Sequence, residues 1–234
     1  MSTTRRRRGL TRAVACCAIA LASLFAGGEA SAKAPPGFWE KSLRSFKAQD
    51  EKDRTKGGVV FVGSSSIRGW HLPSAFPTLQ AANRGLGGAQ IDDVLGFTEQ
   101  LVLRREPKVV VFYAGENDLG AGATPERVLG DYRAFVGLVH ARLPKTQILF
   151  ISIKPSPVLR GVWHRARESN RLVEEFTASD ARLRYIDVAS AMLSESGKPR
   201  RELFVDDGLH MNAAGYRLWR RIVAPVVQAA LAAP

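Results

Sequence analysis

Four short polar segments of this 234-residue chain carry residue types that can do chemistry together. Gly63-Ser64-Ser65-Ser66 offers a hydroxyl nucleophile at a strand-to-helix turn, beside backbone amides able to donate to a developing oxyanion. Asn83-Arg84-Gly85-Leu86-Gly87-Gly88 contains glycines that let the backbone turn tightly and approach a ligand. Ala114-Gly115-Glu116-Asn117-Asp118 contributes a side-chain amide, and Asp206-Asp207-Gly208-Leu209-His210 an acid–base pair. Taken singly, each has a commoner explanation as a helix cap, a turn or a loop that bonds to itself. Jointly they supply a nucleophile, two kinds of oxyanion donor and a carboxylate–imidazole pair, the set that acyl transfer requires. Acyl transfer follows only if one fold carries all four to the same place.

The elements around these segments point to such a fold. Val59-Val60-Phe61-Val62, Val109-Val110-Val111-Phe112-Tyr113 and Gln147-Ile148-Leu149-Phe150-Ile151 are short continuous apolar runs, the pattern of strands covered on both faces. Residues 80–83 and 183–188 add two shorter strands, giving a five-stranded parallel sheet. The clearest helix opens with Thr124 as N-cap and Pro125 in the first turn, repeats Val128, Tyr132, Phe135 and Val139, and ends before Pro144. Weaker helical patterns cover residues 91–104, 163–178 and 213–231, the last interrupted by Pro225, where a kink or split is expected. Strands alternating with helices imply right-handed βαβ crossovers and helix layers on both faces of the sheet. In open sheets of this kind ligands bind at the carboxyl ends of the strands, where the polar segments fall.

In order and spacing the four segments resemble the signature blocks of the SGNH hydrolases, also called GDSL-type esterases, over residues 57–231. The resemblance implies an α/β fold, a three-layer α/β/α sandwich of flavodoxin-like type around the five-stranded parallel sheet. It makes Ser65, rather than Ser64 or Ser66, the nucleophile, with Asp207 and His210 completing a catalytic triad. It assigns the oxyanion hole to the main chain of Ser65 and Gly88 and the side chain of Asn117. His210 would then act as general base and general acid, with Asp207 holding its other ring nitrogen. One departure is Ser64, which stands where better-known members carry Asp. That Asp is no triad member, so the proton path is intact. Ser64 can cap the following helix, and the change bears on substrate preference.

The same resemblance implies a serine esterase with an open site, acting on a short acyl group, either a simple carboxylic ester or a carbohydrate O-acetyl group, and needing no cofactor. No long apolar loop separates the blocks, which argues against a lipase-type lid. Two rivals use the same residues: an acyltransferase working on envelope glycans, and a binding module that keeps the fold without turnover. Trp70, Arg160 and Trp163 lie in or beside loops that can rim the site and are candidates for substrate contact, with packing against the sheet edge as the alternative for the aromatics. His71 and His164 fall in the same loops, and His140 on a helix. A metal site built on Asp207 and His210 lacks a third and fourth ligand, so none is expected.

Composition bounds the rest. Arg5 to Arg8 and Arg12, the apolar stretch from Ala13 to Ala26, and Ala30-Ser31-Ala32 form the pattern of a secretory signal peptide cleaved after Ala32. The apolar stretch is short for a membrane span, which makes an uncleaved anchor the lesser reading. Lipoprotein and twin-arginine readings fit the flanking residues poorly. Residues 33–56 read as a polar lead-in with one short helix, and residues 57–234 as the catalytic domain. Both cysteines, Cys16 and Cys17, fall in the leader, so the mature chain has no thiol chemistry and no disulfide. The net charge of +12 drops on processing, because residues 1–32 hold five arginines and one glutamate, leaving 29 basic against 21 acidic residues, or +8. The basic residues are dispersed, without the aromatic-studded cluster that binds nucleic acid. Loose contact with anionic envelope surfaces is the partner such a charge allows, beside the ester substrate itself.

Overall fold

A computed structural model describes residues 34–233, so the expected leader lies outside the described residues. In chain order the elements are α1 (Glu40–Lys52), β1 (Val59–Gly63), α2 (Ser65–Arg68), α3 (Leu72–Ala75), β2 (Ala81–Gly85), α4 (Ile91–Gly96), α5 (Thr98–Leu101), β3 (Val109–Tyr113), α6 (Glu116–Gly120), α7 (Pro125–Arg142), β4 (Gln147–Ile151), α8 (Trp163–Thr177), β5 (Leu183–Ile186) and α9 (Ala213–Ala232). All strand pairings are parallel, in the order β2-β1-β3-β4-β5. This is the expected three-layer α/β/α sandwich.

Alternation along each strand explains the layers. Val60, Val62, Val110, Phe112, Ile148 and Phe150 face one side, where they meet Val128, Tyr132, Phe135 and Val139 of α7 and Val173 of α8. Val59, Phe61, Val109, Val111, Tyr113 and Leu149 face the other, against Trp219, Val223 and Val227 of α9. A strand with period-two side chains and helices on both faces must be apolar along its covered length, as these three are apart from Gln147 at the start of β4.

The helices follow their predicted signals, with two differences. Thr124 caps α7 by accepting a hydrogen bond from Arg127 N at 3.2 Å. The pattern over residues 91–104 is broken into α4, α5 and a 3₁₀ turn at Leu103–Arg105. Thr98 lies at the break, its hydroxyl donating back to the carbonyls of Val94 and Leu95 at 3.1 and 2.9 Å, a local bond that competes with regular helix. Of the kink or split expected at Pro225, the split does not occur, since α9 runs through it to Ala232. Burial of Leu218, Trp219, Val223, Val227 and Ala230 along one face holds the helix on the sheet despite the missing donor.

Strand order reverses between β1 and β3, the crevice where such sheets bind ligands. Gly63 is in register with Gly85 on one side and Tyr113 on the other, so three strands end level. The lead-in segment packs near this edge: Trp39, at the start of α1, is buried and donates from Nε1 to Gly87 O at 2.9 Å.

Candidate active site

The nucleophile turn begins with a close backbone approach. Gly63 has φ +141°, and a Cβ there would fall 1.8 Å from the Tyr113 carbonyl oxygen, so no other residue fits. Ser64 N then donates to that carbonyl at 2.9 Å, carrying the chain over the end of β3 and into α2. Ser64 occupies the N-cap position, but its side chain makes no capping bond, contrary to expectation. Ser65 follows as the first helical residue, 9% exposed, with a main-chain amide that can have no intrahelical acceptor.

His210 and Ser65 are 145 residues apart in sequence, yet His210 Nε2 lies 3.0 Å from Ser65 Oγ. The other ring nitrogen, Nδ1, lies 2.6 Å from Asp207 Oδ2. With the Nδ1 proton donated to the carboxylate, Nε2 is free to accept from the serine hydroxyl. Asp207 is itself oriented by the amides of Leu209 and His210, which donate to Oδ1 at 2.8 and 2.9 Å. Burial acts to raise the Asp207 pKa, but the bonds from His210 and these two amides outweigh it and hold the carboxyl below its usual range. The carboxylate is therefore charged when the imidazole needs it. Val205 N to His210 O, at 2.9 Å, closes the loop that carries both.

The two donors expected for the oxyanion hole lie in the segments that follow β2 and β3. Gly88 has φ +76° and is exposed, and no acceptor for its amide is found among the described residues. Asn117 Nδ2 donates one hydrogen to Ala89 O at 2.9 Å, which fixes the amide plane and leaves its second N–H unassigned. The next residue, Asp118, accepts from Ile91 N at 2.9 Å through Oδ1. Adjacent side chains of α6 thus staple the glycine loop to the end of β3. Asp118 is buried with Oδ2 unpartnered, and burial pushes its pKa up to about 7.

Beneath the site is a charged cluster that the sequence patterns do not reveal. Lys154, following β4, is fully enclosed and bonds to Glu116 Oε2, while Ser156 donates to Glu116 Oε1. Tyr113 donates its hydroxyl to Glu116 Oε2 at 3.1 Å, and Lys154 Nζ lies 3.4 Å from the same hydroxyl. Burial lowers the Lys154 pKa, opposed by the charge of Glu116 and, less strongly, of Asp207. Each oxygen of Glu116 is occupied, and the ends of β3 and β4 are joined by a salt bridge in a dry environment. Two charges at the carboxyl ends of adjacent apolar strands were its only signal.

The substrate-contact candidates separate. Trp70 takes the packing alternative: it is 3% exposed, with the rings of Phe61, Phe76, Tyr216 and Trp219 at centroid distances of 5.3–5.9 Å. Only the small exposed part of the indole, in the lining of the cleft beside β2, is left to meet a ligand. Trp163 is half-buried against the α7–α8 layer and lines a small cavity with Glu116 and Lys154. Arg160 is exposed in a 3₁₀ turn, Pro157–Val162, whose Val158 N donates to Gly208 O at 3.3 Å, beside the Asp207 loop. Among the other histidines, His71 accepts from Ser74 N and His140 contacts Thr146 O at 3.0 Å.

Comparison with known proteins identifies the family and the fold. The family described as GDSL-like Lipase/Acylhydrolase matches residues 58–218. The human platelet-activating factor acetylhydrolase IB subunit alpha1 is 30% identical over 191 residues, covering 77% of this chain and 78% of that protein. Among solved structures, a protein from Streptococcus pneumonia described as a putative platelet activating factor superposes with a TM-score of 0.73 at 20% identity, covering 80% of this chain and 92% of the other. A family 3 carbohydrate esterase of Clostridium thermocellum gives 0.58 at 14% identity over 74% and 98%. At these identities the structural matches speak for the fold.

Two stability predictions follow from the buried charges. Lys154→Met strands the Glu116 carboxylate and should cost about 3–5 kcal/mol in urea unfolding, whereas Lys154→Met with Glu116→Leu should recover most of that loss. Full additivity of the two substitutions would contradict the pairing. Asp118 works in the opposite sense to a salt-bridged carboxylate. Its folded pKa of about 7 lies above the ordinary value of 3.8, so the folded state binds more protons in that window and stability falls as pH rises through it. Asp118→Asn should flatten this dependence, by on the order of 2–4 kcal/mol between the two ends. Unfolding free energies of both proteins across the window check it, and parallel curves would refute the shift.

Proposed function

The chain belongs to the GDSL-like lipase/acylhydrolase family and is a hydrolase acting on ester bonds, and from that premise we propose that it removes short acyl groups, above all acetyl, through an acyl-Ser65 intermediate. The observation that carries this reading is the continuous relay from Ser65 Oγ to His210 Nε2 at 3.0 Å and from Nδ1 to Asp207 at 2.6 Å. Ser65 Oγ attacks the ester carbonyl carbon as its proton passes to Nε2. The amides of Ser65 and Gly88 and the Asn117 side chain receive the oxyanion. Collapse expels the alcohol, which takes the proton from His210, and a water activated by the same imidazole then releases the carboxylic acid.

The short-acyl part rests on two supports. Asp207 has a side-chain exposure of 47%, so the loop that carries the acid–base pair is open to solvent, which favours a small acyl group over a long chain that needs an enclosed apolar channel. Relatives with acetyl groups in their names recur, including the human acetylhydrolase subunit and an acetyl esterase solved with acetate. The carbohydrate esterase among the solved structures supports an O-acetylated sugar as one substrate. Export is part of the same proposal: the basic and apolar leader would be removed after Ala32, and N-terminal sequencing of the secreted protein should begin at Lys33.

Ser65→Ala should lower turnover of p-nitrophenyl acetate by roughly 10⁶, and Asn117→Ala by about 10²–10³. Fluorophosphonate labelling with peptide mapping should place the adduct on Ser65. A label on any other residue, or an active Ser65→Ala protein, would overturn the assignment. Equal kcat/KM for acetyl and octanoyl esters would remove the short-acyl part, and product that partitions to added glycan acceptors in preference to water would make the protein a transferase.

A further inference from the structure

A second feature lies one helical turn from Ser65 and is too large for a short acyl group: a cleft of about 950 Å³ along the open edge of β2, between α1 and the turn that follows α2, with Arg68 in its lining. Its lining holds five cationic side chains, Lys41, Lys52, Arg68, Arg84 and Arg105, against one carboxylate, Asp53. Arg84 and Arg105 are already matched. Arg84 Nη2 bonds Asp50 Oδ1 at 2.5 Å, and Arg105 reaches Asp50 at 3.2 Å and Asp53 at 3.1 Å. Lys41, Lys52 and Arg68 have no carboxylate within ion-pair distance among the described residues. The cleft therefore presents three unmatched positive charges.

Arg68 ties the cleft to catalysis. It closes the single helical turn that Ser65 opens, and its guanidinium rests against Gly87, the neighbour of Gly88. A Cβ on residue 87 would lie 2.6 Å from Arg68 Cζ, so the glycine makes room for the cation beside the oxyanion loop. Trp39 fixes the same glycine from the α1 side through its bond to Gly87 O. A scatter of solvated surface lysines would need neither contact.

We propose that this cleft binds the alcohol portion of the substrate and selects alcohols that carry an anionic group, phosphate or carboxylate, with Arg68 as the principal contact and Lys41 and Lys52 further along. The proposal rests on Ser65 as the nucleophile. A small acyl group on one side of the scissile bond leaves the larger cleft for the other side, and an unmatched guanidinium recognises phosphate or carboxylate through two parallel hydrogen bonds.

The test compares an O-acetylated methyl glucoside with its matching uronate and 6-phosphate. Wild type should show kcat/KM roughly tenfold or more higher for a charged ester at about 20 mM salt, falling toward the neutral value at about 500 mM. The difference should lie in KM. Arg68→Gln should bring the charged-to-neutral ratio close to one, and Lys41→Gln with Lys52→Gln should lower it in part. Preference for the 6-phosphate over the uronate identifies phosphate as the group, and the reverse identifies carboxylate. Calorimetric titration of Ser65→Ala with the same glycosides reads recognition without turnover, so failure of the cleft and failure of the hydrolase reading are separable. Equal values for charged and neutral esters in wild type at low salt, or an Arg68→Gln protein of normal melting temperature that keeps the full ratio, would overturn the proposal.

Discussion

The contact between Gly63 and the Tyr113 carbonyl constrains everything built above it. Parallel pairing in register makes β1 and β3 end level, and the missing side chain at residue 63 lets the chain leave β1 directly over its neighbour. That exit sets the position of Ser65. Because strand order reverses at this point, the segments after β1 and β3 diverge to opposite faces of the sheet and leave a crevice between them. The glycine loop after β2 and the Asp207–His210 loop then close its two sides.

Much of this was legible in the sequence because it depends on local pattern. The three central strands are read from uninterrupted apolar runs, and α7 from Thr124, Pro125 and a stripe of four apolar residues. The acid–base pair is visible as two residues three apart. What escaped depends on partners far away in the chain. Lys154 and Glu116 are separated by 38 positions, and no periodicity says that two charges will meet inside a core. Trp70 read as a loop residue because the aromatics enclosing it, Trp219 and Tyr216 among them, come from the last helix. Ser64 had the residue type of a cap, yet the side chain is buried without making the bond. Pro225 had the residue type of a break, and burial of the helix face overrode it.

The buried Glu116–Lys154 pair illustrates how a site can be held rigid at a cost in stability. Removing two charges from water is unfavourable, and their attraction offsets it only when every remaining polar atom has a partner. Here Ser156 and Tyr113 complete the set. Glu116 is also the neighbour of Asn117, so an oxyanion donor is attached to a residue that cannot swing without exposing an unpaired charge. Asn117 and Asp118 add two further ties to the glycine loop. Three consecutive residues thus connect three strand ends.

The catalytic residues divide unequally between local and distant contacts. Asp207 and His210 lie on one turn, stitched by the bonds from Leu209 and His210 to a single carboxylate oxygen and by Val205 to His210 O. Ser65 instead opens α2, directly after the end of β1 in the sheet. Between them runs one hydrogen bond that spans 145 residues of chain. The carboxylate–imidazole pair is therefore a locally stitched unit, and it rides on buried neighbours, Phe204, Leu209 and Met211, with Phe204 and Met211 bridged to each other. The reach of the imidazole to Ser65 is in this way set by how α9 and the residues before it pack on the sheet, so a substitution deep in that layer can misalign the relay without touching any of its members.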